Sequence, residues 1–195
     1  MLEQLSLFDI PKAGPDRYRL FLGIFPDAKA THLICDHQIN LGKQSGLRGK
    51  PRPRNNLHVT LHHIGDYPEI PERVVASVIK ACASVLANRP SVEVIFDHAM
   101  TFRGNHAFVL VNPNGNEALR ALHRPLITEL IKHRLAKPKD FQFEPHVTML
   151  YDEHLVPEGE VPPVIWIVKE VVLILSHLGA TKYERLGSWD LNVPS

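Results

Sequence analysis

The chain has 195 residues, with 22 Lys and Arg against 21 Asp and Glu, for a formal net charge of +1. Its 44% hydrophobic and 22% charged residues can fill a core and exclude whole-chain disorder. The balanced charge excludes a protein that coats long nucleic acid by bulk electrostatics, but not recognition of one nucleic-acid end by a local site.

Residues 1–16 read as a flexible tail, and residues 17–195 as one domain. Met1-Leu2-Glu3-Gln4 offers neither a basic nor an apolar leader region, so no secretory signal is expected. Tyr18 to Phe25 reads as a buried strand, and Asp27 is placed to cap a helix over 28–43. Pro51 and Pro53 exclude regular structure between Leu47 and Asn56. A strand follows at Leu57–Ile64, stopped by Gly65. Pro71 suits the start of a helix from Glu72 to Ala87. Val92–Phe102 and Ala107–Val111 read as strands, Glu117 to about Leu135 as a helix, and Pro145–Tyr151 as a strand. Val164–Ser176 and Lys182–Leu191 form a closing strand pair around Gly179. The longest apolar run, Val164 to Leu175, is broken by Lys169 and Glu170, and a spanning helix needs roughly 20 apolar residues. No membrane segment is expected, and the cytoplasm is the default. Several connections are too short for parallel crossovers, which implies an α+β or mixed α/β fold with largely antiparallel sheets. Cys35 and Cys82 lie far apart and form no CxxC pair, so neither a disulfide framework nor a cysteine zinc site is expected.

Twelve histidines are many for this length, and two stand in a repeat. Leu57-His58-Val59-Thr60-Leu61 recurs as Pro145-His146-Val147-Thr148-Met149, about half the folded length later. On a strand, side chains alternate between faces. His58 and Thr60 then share one face while Val59 and Leu61 enter a core; His146 and Thr148 do the same over Val147 and Met149. Two such faces across a cleft would hold two imidazoles and two hydroxyls. That set suits in-line displacement at phosphorus. One histidine takes a proton from the nucleophile, the other gives one to the leaving oxygen, and the threonines hold the non-bridging oxygens. This logic calls for no metal and no cofactor. His58 and His62 share a strand face about 13 Å apart by strand rise, too far to ligate one zinc together. His62 would extend the catalytic face or stand exposed.

The opening Arg19-Leu20-Phe21-Leu22-Gly23-Ile24-Phe25-Pro26, the two His-Val-Thr segments and the closing Trp189-Asp190-Leu191 resemble the two-histidine phosphoesterases. The resemblance is to the LigT-like branch, named for 2'-5' RNA ligase and RNA 2',3'-cyclic phosphodiesterase activity. It covers about residues 17 to 191. It implies a bilobed α+β fold, with two mostly antiparallel sheets flanked by helices around a central cleft. It also implies metal-independent hydrolysis of a 2',3'-cyclic phosphate, on an RNA end or a nucleotide, to a 2'-phosphomonoester. Carried over, His58 donates to the leaving oxygen, His146 accepts from water, and Thr60 and Thr148 contact the phosphate. The chain departs from relatives in carrying His62-His63-Ile64-Gly65 after the first motif, where Phe-Leu-Gly is usual. After the second it carries Leu150-Tyr151-Asp152-Glu153, where a basic residue is common.

Other residues supply further candidates for substrate binding. Arg48, Lys50, Arg52 and Arg54 alternate along the Pro-rich loop and could replace the missing cation. Arg103 reaches either the cleft or only a turn, the turn being favoured. Tyr18, Phe25 and Tyr151 could stack on a base, with core packing favoured for Phe25. Gln4-Leu5-Ser6-Leu7-Phe8 resembles the pentapeptide by which bacterial replication and repair proteins dock on the sliding clamp. Alternatively, its apolar residues pack back on the protein. A non-catalytic binder of phosphorylated RNA or nucleotide ends is the rival to the enzyme, and a monomer is expected in either case.

Overall fold

The computed structural model describes residues 18–192. Eight strands form two four-stranded antiparallel sheets, each with an edge strand that carries one His-Val-Thr motif. Across the first sheet the order is β2 (Val59–Tyr67), β1 (Tyr18–Ile24), β7 (Glu170–His177) and β8 (Lys182–Asp190). Across the second it is β5 (His146–Tyr151), β4 (Ala107–Val111), β3 (Val92–Phe102) and β6 (Gly159–Val168). The chain crosses from the first sheet to the second after β2 and returns at Lys169.

Three helices tie the sheets together. α1 (Ala28–Gln44) starts where the Asp27 carboxylate accepts from the Ala30 amide at 2.8 Å. It follows a strand of the first sheet but lies against β5 and β6 of the second. α2 (Glu72–Leu86) packs on β8 and on α3 (Glu117–Lys132). Leu20, Leu22 and Ile24 on β1 share one continuous core with Val94 and Phe96 on β3 and with Leu126 on α3. The opposite, cleft-side faces carry two smaller apolar floors: Phe21, Val172 and Ile174 on the first sheet, and Ala107, Val109 and Val111 on the second.

The expected α+β class with antiparallel sheets is the class observed, and the elements from 28 to 151 fall where the sequence places them, within a few residues. The expected strand Val164–Ser176 is two strands in different sheets, β6 and β7, parted at Lys169. β6 begins earlier, at Gly159, and contains Pro162 and Pro163. It can do so because it is an edge strand, where a missing N–H breaks no central ladder. Gly65 does not stop β2, which runs on to Tyr67. Among the described residues no helix is long and apolar enough to cross a membrane. The tail over 1–16 and its Gln4–Phe8 segment lie outside the described residues.

Candidate active site

The motif strands are irregular at the same point. β2 pairs with β1 as Thr60 to Gly23 and His62 to Leu22, which leaves Leu61 unpaired as a β-bulge. β5 pairs with β4 as Thr148 to Val109 and Leu150 to Phe108, which leaves Met149 unpaired. One extra residue reverses the alternation of faces. His62 therefore turns inward, buried, with its Nε2 against the Leu135 carbonyl at 3.0 Å. The expectation that His62 extends the catalytic face or stands exposed is corrected by this bulge. Its neighbour His63 joins His58 and Thr60 on the cleft side, and Tyr151 joins His146 and Thr148 in the same way. Each lobe thus offers a histidine, a threonine and, three residues after the threonine, a further ring.

The two bulge carbonyls are held crosswise. His123, buried on α3, donates from Nε2 to the Leu61 carbonyl at 3.0 Å. Gln38, buried on α1, donates from Nε2 to the Met149 carbonyl at 2.8 Å. A helix that follows a strand of one sheet braces the motif of the other.

His58, Thr60, His146 and Thr148 line one cavity of about 430 Å³ between the sheets. His58 donates from Nδ1 to the Asn56 carbonyl at 2.7 Å, and His146 from Nδ1 to the Glu144 carbonyl at 2.8 Å. In both rings the residue two positions earlier fixes the tautomer and leaves Nε2 as the acceptor nitrogen. The Thr60 hydroxyl donates to His58 Nε2 at 3.1 Å. Phe21, Tyr183 and Phe25 surround the His58 ring, with centroids at 4.8, 5.7 and 5.9 Å. Burial pushes its pKa down to about 4, opposed by the Asn56 hydrogen bond and reinforced by Arg52 and His146. Burial also lowers the pKa of His146, whose ring meets Phe102 edge-on at 5.0 Å, while the Glu144 carbonyl opposes the shift. Both imidazoles are neutral at pH 7.

Of the basic loop, only Arg52 reaches the cavity. Its Nη2 donates to the Tyr183 hydroxyl at 3.0 Å, and its buried Nε has no hydrogen-bond partner among the described residues. The loop is docked on the second motif strand. The Arg52 amide donates to the Met149 carbonyl at 2.8 Å, and Gln38 also reaches the Arg52 carbonyl at 3.1 Å. Asp152 accepts from the Arg48 and Gly49 amides at 2.6 and 2.7 Å. The His154 amide, with those of Arg48 and Gly49, holds its carboxyl below the usual carboxylate range. A Cβ on Gly49 would meet the Tyr151 carbonyl oxygen at 2.0 Å, so only glycine permits this approach. Asp152 thus anchors the loop that delivers Arg52 to the cavity. Arg48, Arg54 and Arg103 are exposed and lie outside the cavity, with Arg103 in the turn between β3 and β4. Phe25 packs beside His58 on the cleft-side floor rather than in the main core.

Arg19, His63, Ser176 and Tyr183 also line the cavity, although sequence reasoning singled out none of them as site residues. Arg19 grips Asp66 with two hydrogen bonds of 2.8 Å, and His63 donates to the same carboxylate at 2.9 Å. Arg19 holds the Asp66 carboxyl well below the ordinary range, with His63 adding to the effect. The signal available in the sequence was the alternation of Arg19 with Phe21 along β1. Among the described residues no cluster of three or more His, Cys, Asp or Glu is placed to hold a metal.

Two motif strands facing one cleft define a two-histidine phosphoesterase fold. The family described as the 2'-5' RNA ligase superfamily matches residues 27–179, and the chain belongs to it. Among solved structures, E. coli LigT in its apo form superposes with a TM-score of 0.69 at 22% identity, over 91% of this chain and 99% of that one. TT0787 of Thermus thermophilus gives 0.69 at 21% identity, over 91% and 100%. The MHV ns2 PDE domain gives 0.52 at 17% identity, over 77% and 97%. At these identities the likeness is one of fold. No curated protein matches the chain.

Proposed function

We propose that the protein hydrolyses a 2',3'-cyclic phosphodiester, on an RNA terminus or a nucleotide, to a 2'-phosphomonoester. His146 takes a proton from water as the water oxygen attacks phosphorus. The P–O3' bond breaks in line, and His58 delivers a proton to the departing oxygen. Thr60 and Thr148 hydrogen-bond the non-bridging oxygens as negative charge builds on them, and the unsatisfied Nε of Arg52 supplies a cationic donor. No step calls for a metal. The assignment of acid and base is the one the family resemblance implies. Entry of a phosphodiester anion raises both imidazole pKa values, so the acid is charged by its own substrate. With the 5'-hydroxyl of a second strand attacking in place of water, the same proton transfers allow weak 2'-5' joining, the P–O3' bond breaking as before.

One observation carries this reading. Two imidazoles, each with Nδ1 tied to a backbone carbonyl, face a single cavity that also holds a buried guanidinium N–H without a partner among the described residues. A binder of phosphorylated ends would need the cation but not two matched imidazoles. E. coli LigT has been crystallised with 3'-AMP, with ATP and with phosphate, ligands of the chemistry proposed here.

The test is turnover of a 2',3'-cyclic mononucleotide and of a short RNA with a cyclic end, in EDTA, by the wild type, His58→Ala and His146→Ala. Turnover that survives EDTA and drops about 10²–10⁴-fold in either variant supports the mechanism. A folded wild type inert on both substrates removes it. We further propose a cytoplasmic monomer whose Gln4–Phe8 segment docks on a sliding clamp. A labelled peptide of residues 1–12 that does not bind a clamp at high micromolar concentration would dismiss the docking.

A further inference from the structure

The cleft opens on two sides, and the two sides differ in charge. Beyond Tyr183 lies a hollow walled by Phe25 and Ile174. Its cations are already neutralised, Lys182 by Glu184 and Arg185 by Glu170. On the other side, Thr60, His63 and His146 form a shared wall between the cleft and a groove of about 350 Å³. His62, His63 and Asp140 then join that groove to a further hollow of about 630 Å³, whose rim carries Arg134, Lys137 and Lys139. None of these three cations forms an ion pair among the described residues. The Asp140 carboxylate beside them is turned onto the Lys137 amide at 2.7 Å.

The cations stand on a braced backbone. The Leu135 amide donates to the Leu130 carbonyl at 2.8 Å, and the Leu135 carbonyl accepts from His62. Pro138–Phe141 forms a 3-10 turn that holds Lys139. Between the cations and His146, half-buried Phe102 and Phe143 offer ring faces, Phe143 stacked on His123 at 4.1 Å. The groove itself holds no Lys or Arg, and its Glu144 is paired with Arg120; aromatic walls that lead to three cations in the hollow beyond suit a single nucleic-acid strand.

We propose that this groove, from His146 past His63 to Arg134, Lys137 and Lys139, binds the backbone of an RNA strand whose cyclic end lies in the cleft. The inference rests on the phosphodiesterase reading and names its substrate class. In a 2',3'-cyclic end both ribose oxygens are tied to the reacting phosphorus, so the rest of the strand must leave through the 5' oxygen. A mononucleotide fills the cleft and leaves the groove empty; a strand needs both.

The experiment has two arms, each with the wild type and the triple variant Arg134→Glu, Lys137→Glu, Lys139→Glu. The first measures binding, by fluorescence anisotropy, of a labelled octaribonucleotide ending in a 3'-phosphate. Three backbone contacts besides Arg52 at the terminal phosphate predict a log–log salt slope of about −3 for the wild type and about −0.7 for the variant. The second measures kcat/KM on a cyclic mononucleotide and on an octaribonucleotide with a cyclic end. The wild type should favour the RNA at least tenfold, and the variant should lose that preference while keeping its mononucleotide turnover. Equal binding and equal preference in both proteins overturn the groove. No turnover of either substrate, with binding still lost in the variant, overturns the phosphodiesterase reading and leaves the groove standing.

Discussion

His58 sits among Phe21, Phe25 and Tyr183, and on the proposed mechanism that apolar wall would set the pH of activity. Acid–base catalysis by an imidazole pair needs one ring charged and one neutral, a state that peaks between the two apparent pKa values. With His58 pushed down to about 4 and His146 below its ordinary 6.5, kcat/KM should peak between about pH 4 and 6.5 and fall toward pH 8. The position of the peak does not depend on which ring is the acid. A profile of kcat/KM on a cyclic mononucleotide that rises through pH 7 to 8 would contradict this electrostatic account. Arg52 adds a separable effect, because its charge disfavours the His58 imidazolium. Arg52→Gln should raise KM about tenfold through the lost charge-assisted bond. It should also move the acidic limb to higher pH, since removing a cation raises the His58 pKa. A changed KM with an unmoved limb would place Arg52 in binding alone. His58, Thr60, His146 and Thr148 were legible because a repeat of identical tripeptides survives in sequence. Arg19 left only its alternation with Phe21 along β1, and Tyr183 left nothing, because its cleft position depends on the pairing of β8 with β7.

At the scale of elements, the bulges at Leu61 and Met149 decide which rings face the cleft. Strict alternation along Leu57–Ile64 puts His62 beside His58, and the bulge puts His63 there instead. A bulge inserts one residue into a register and leaves no compositional mark, so parity arguments fail beyond it. The apolar run 164–176 misleads for a related reason: β6 and β7 both read as buried strand, and only the switch of sheets at Lys169 separates them. The crosswise clamps on the bulges make a paired prediction. His123→Ala leaves the Leu61 carbonyl without its partner inside the core and should cost about 1–3 kcal/mol, with kcat falling as the first motif loosens. His123→Gln can restore the bond, since glutamine already performs this task from α1 as Gln38. The substitution should also alter acid stability. Burial holds His123 down at about 4, below the 6.5 of an unfolded histidine. Its contribution is therefore present above pH 6.5 and lost as pH falls toward 4, by at most about 3 kcal/mol. Denaturant titrations should find His123→Gln close to wild type at pH 7.5 and relatively more stable at pH 5. A wild-type pH dependence retained in the variant would show that His123 is not the group responsible.

Over the whole molecule, the two sheets share one buried cluster. Leu20 and Leu22 of the first sheet belong to the same buried cluster as Val94 and Phe96 of the second, and α1 bridges from β1 to β5 and β6. On the proposed mechanism, the spacing between His58 and His146 then depends on the folded whole, and neither lobe is expected to stand alone. Each sheet carries one of the two tryptophans, Trp189 on β8 and Trp166, buried, on β6. Trp166→Phe leaves a reporter on the first sheet, and Trp189→Phe leaves one on the second. The two variants differ in stability, so the comparison is made within each protein, between its fluorescence and its far-ultraviolet circular dichroism. If the core unites the lobes, the two signals coincide in each variant through a single urea transition. If the lobes unfold separately, fluorescence leads the dichroism in one variant and lags it in the other. The interval between the midpoints would then mark conditions in which one motif is still folded with no partner across the cleft. Enzyme assayed in that interval would be inactive although half of its structure remained, whereas a united core keeps loss of activity and loss of structure on the same curve.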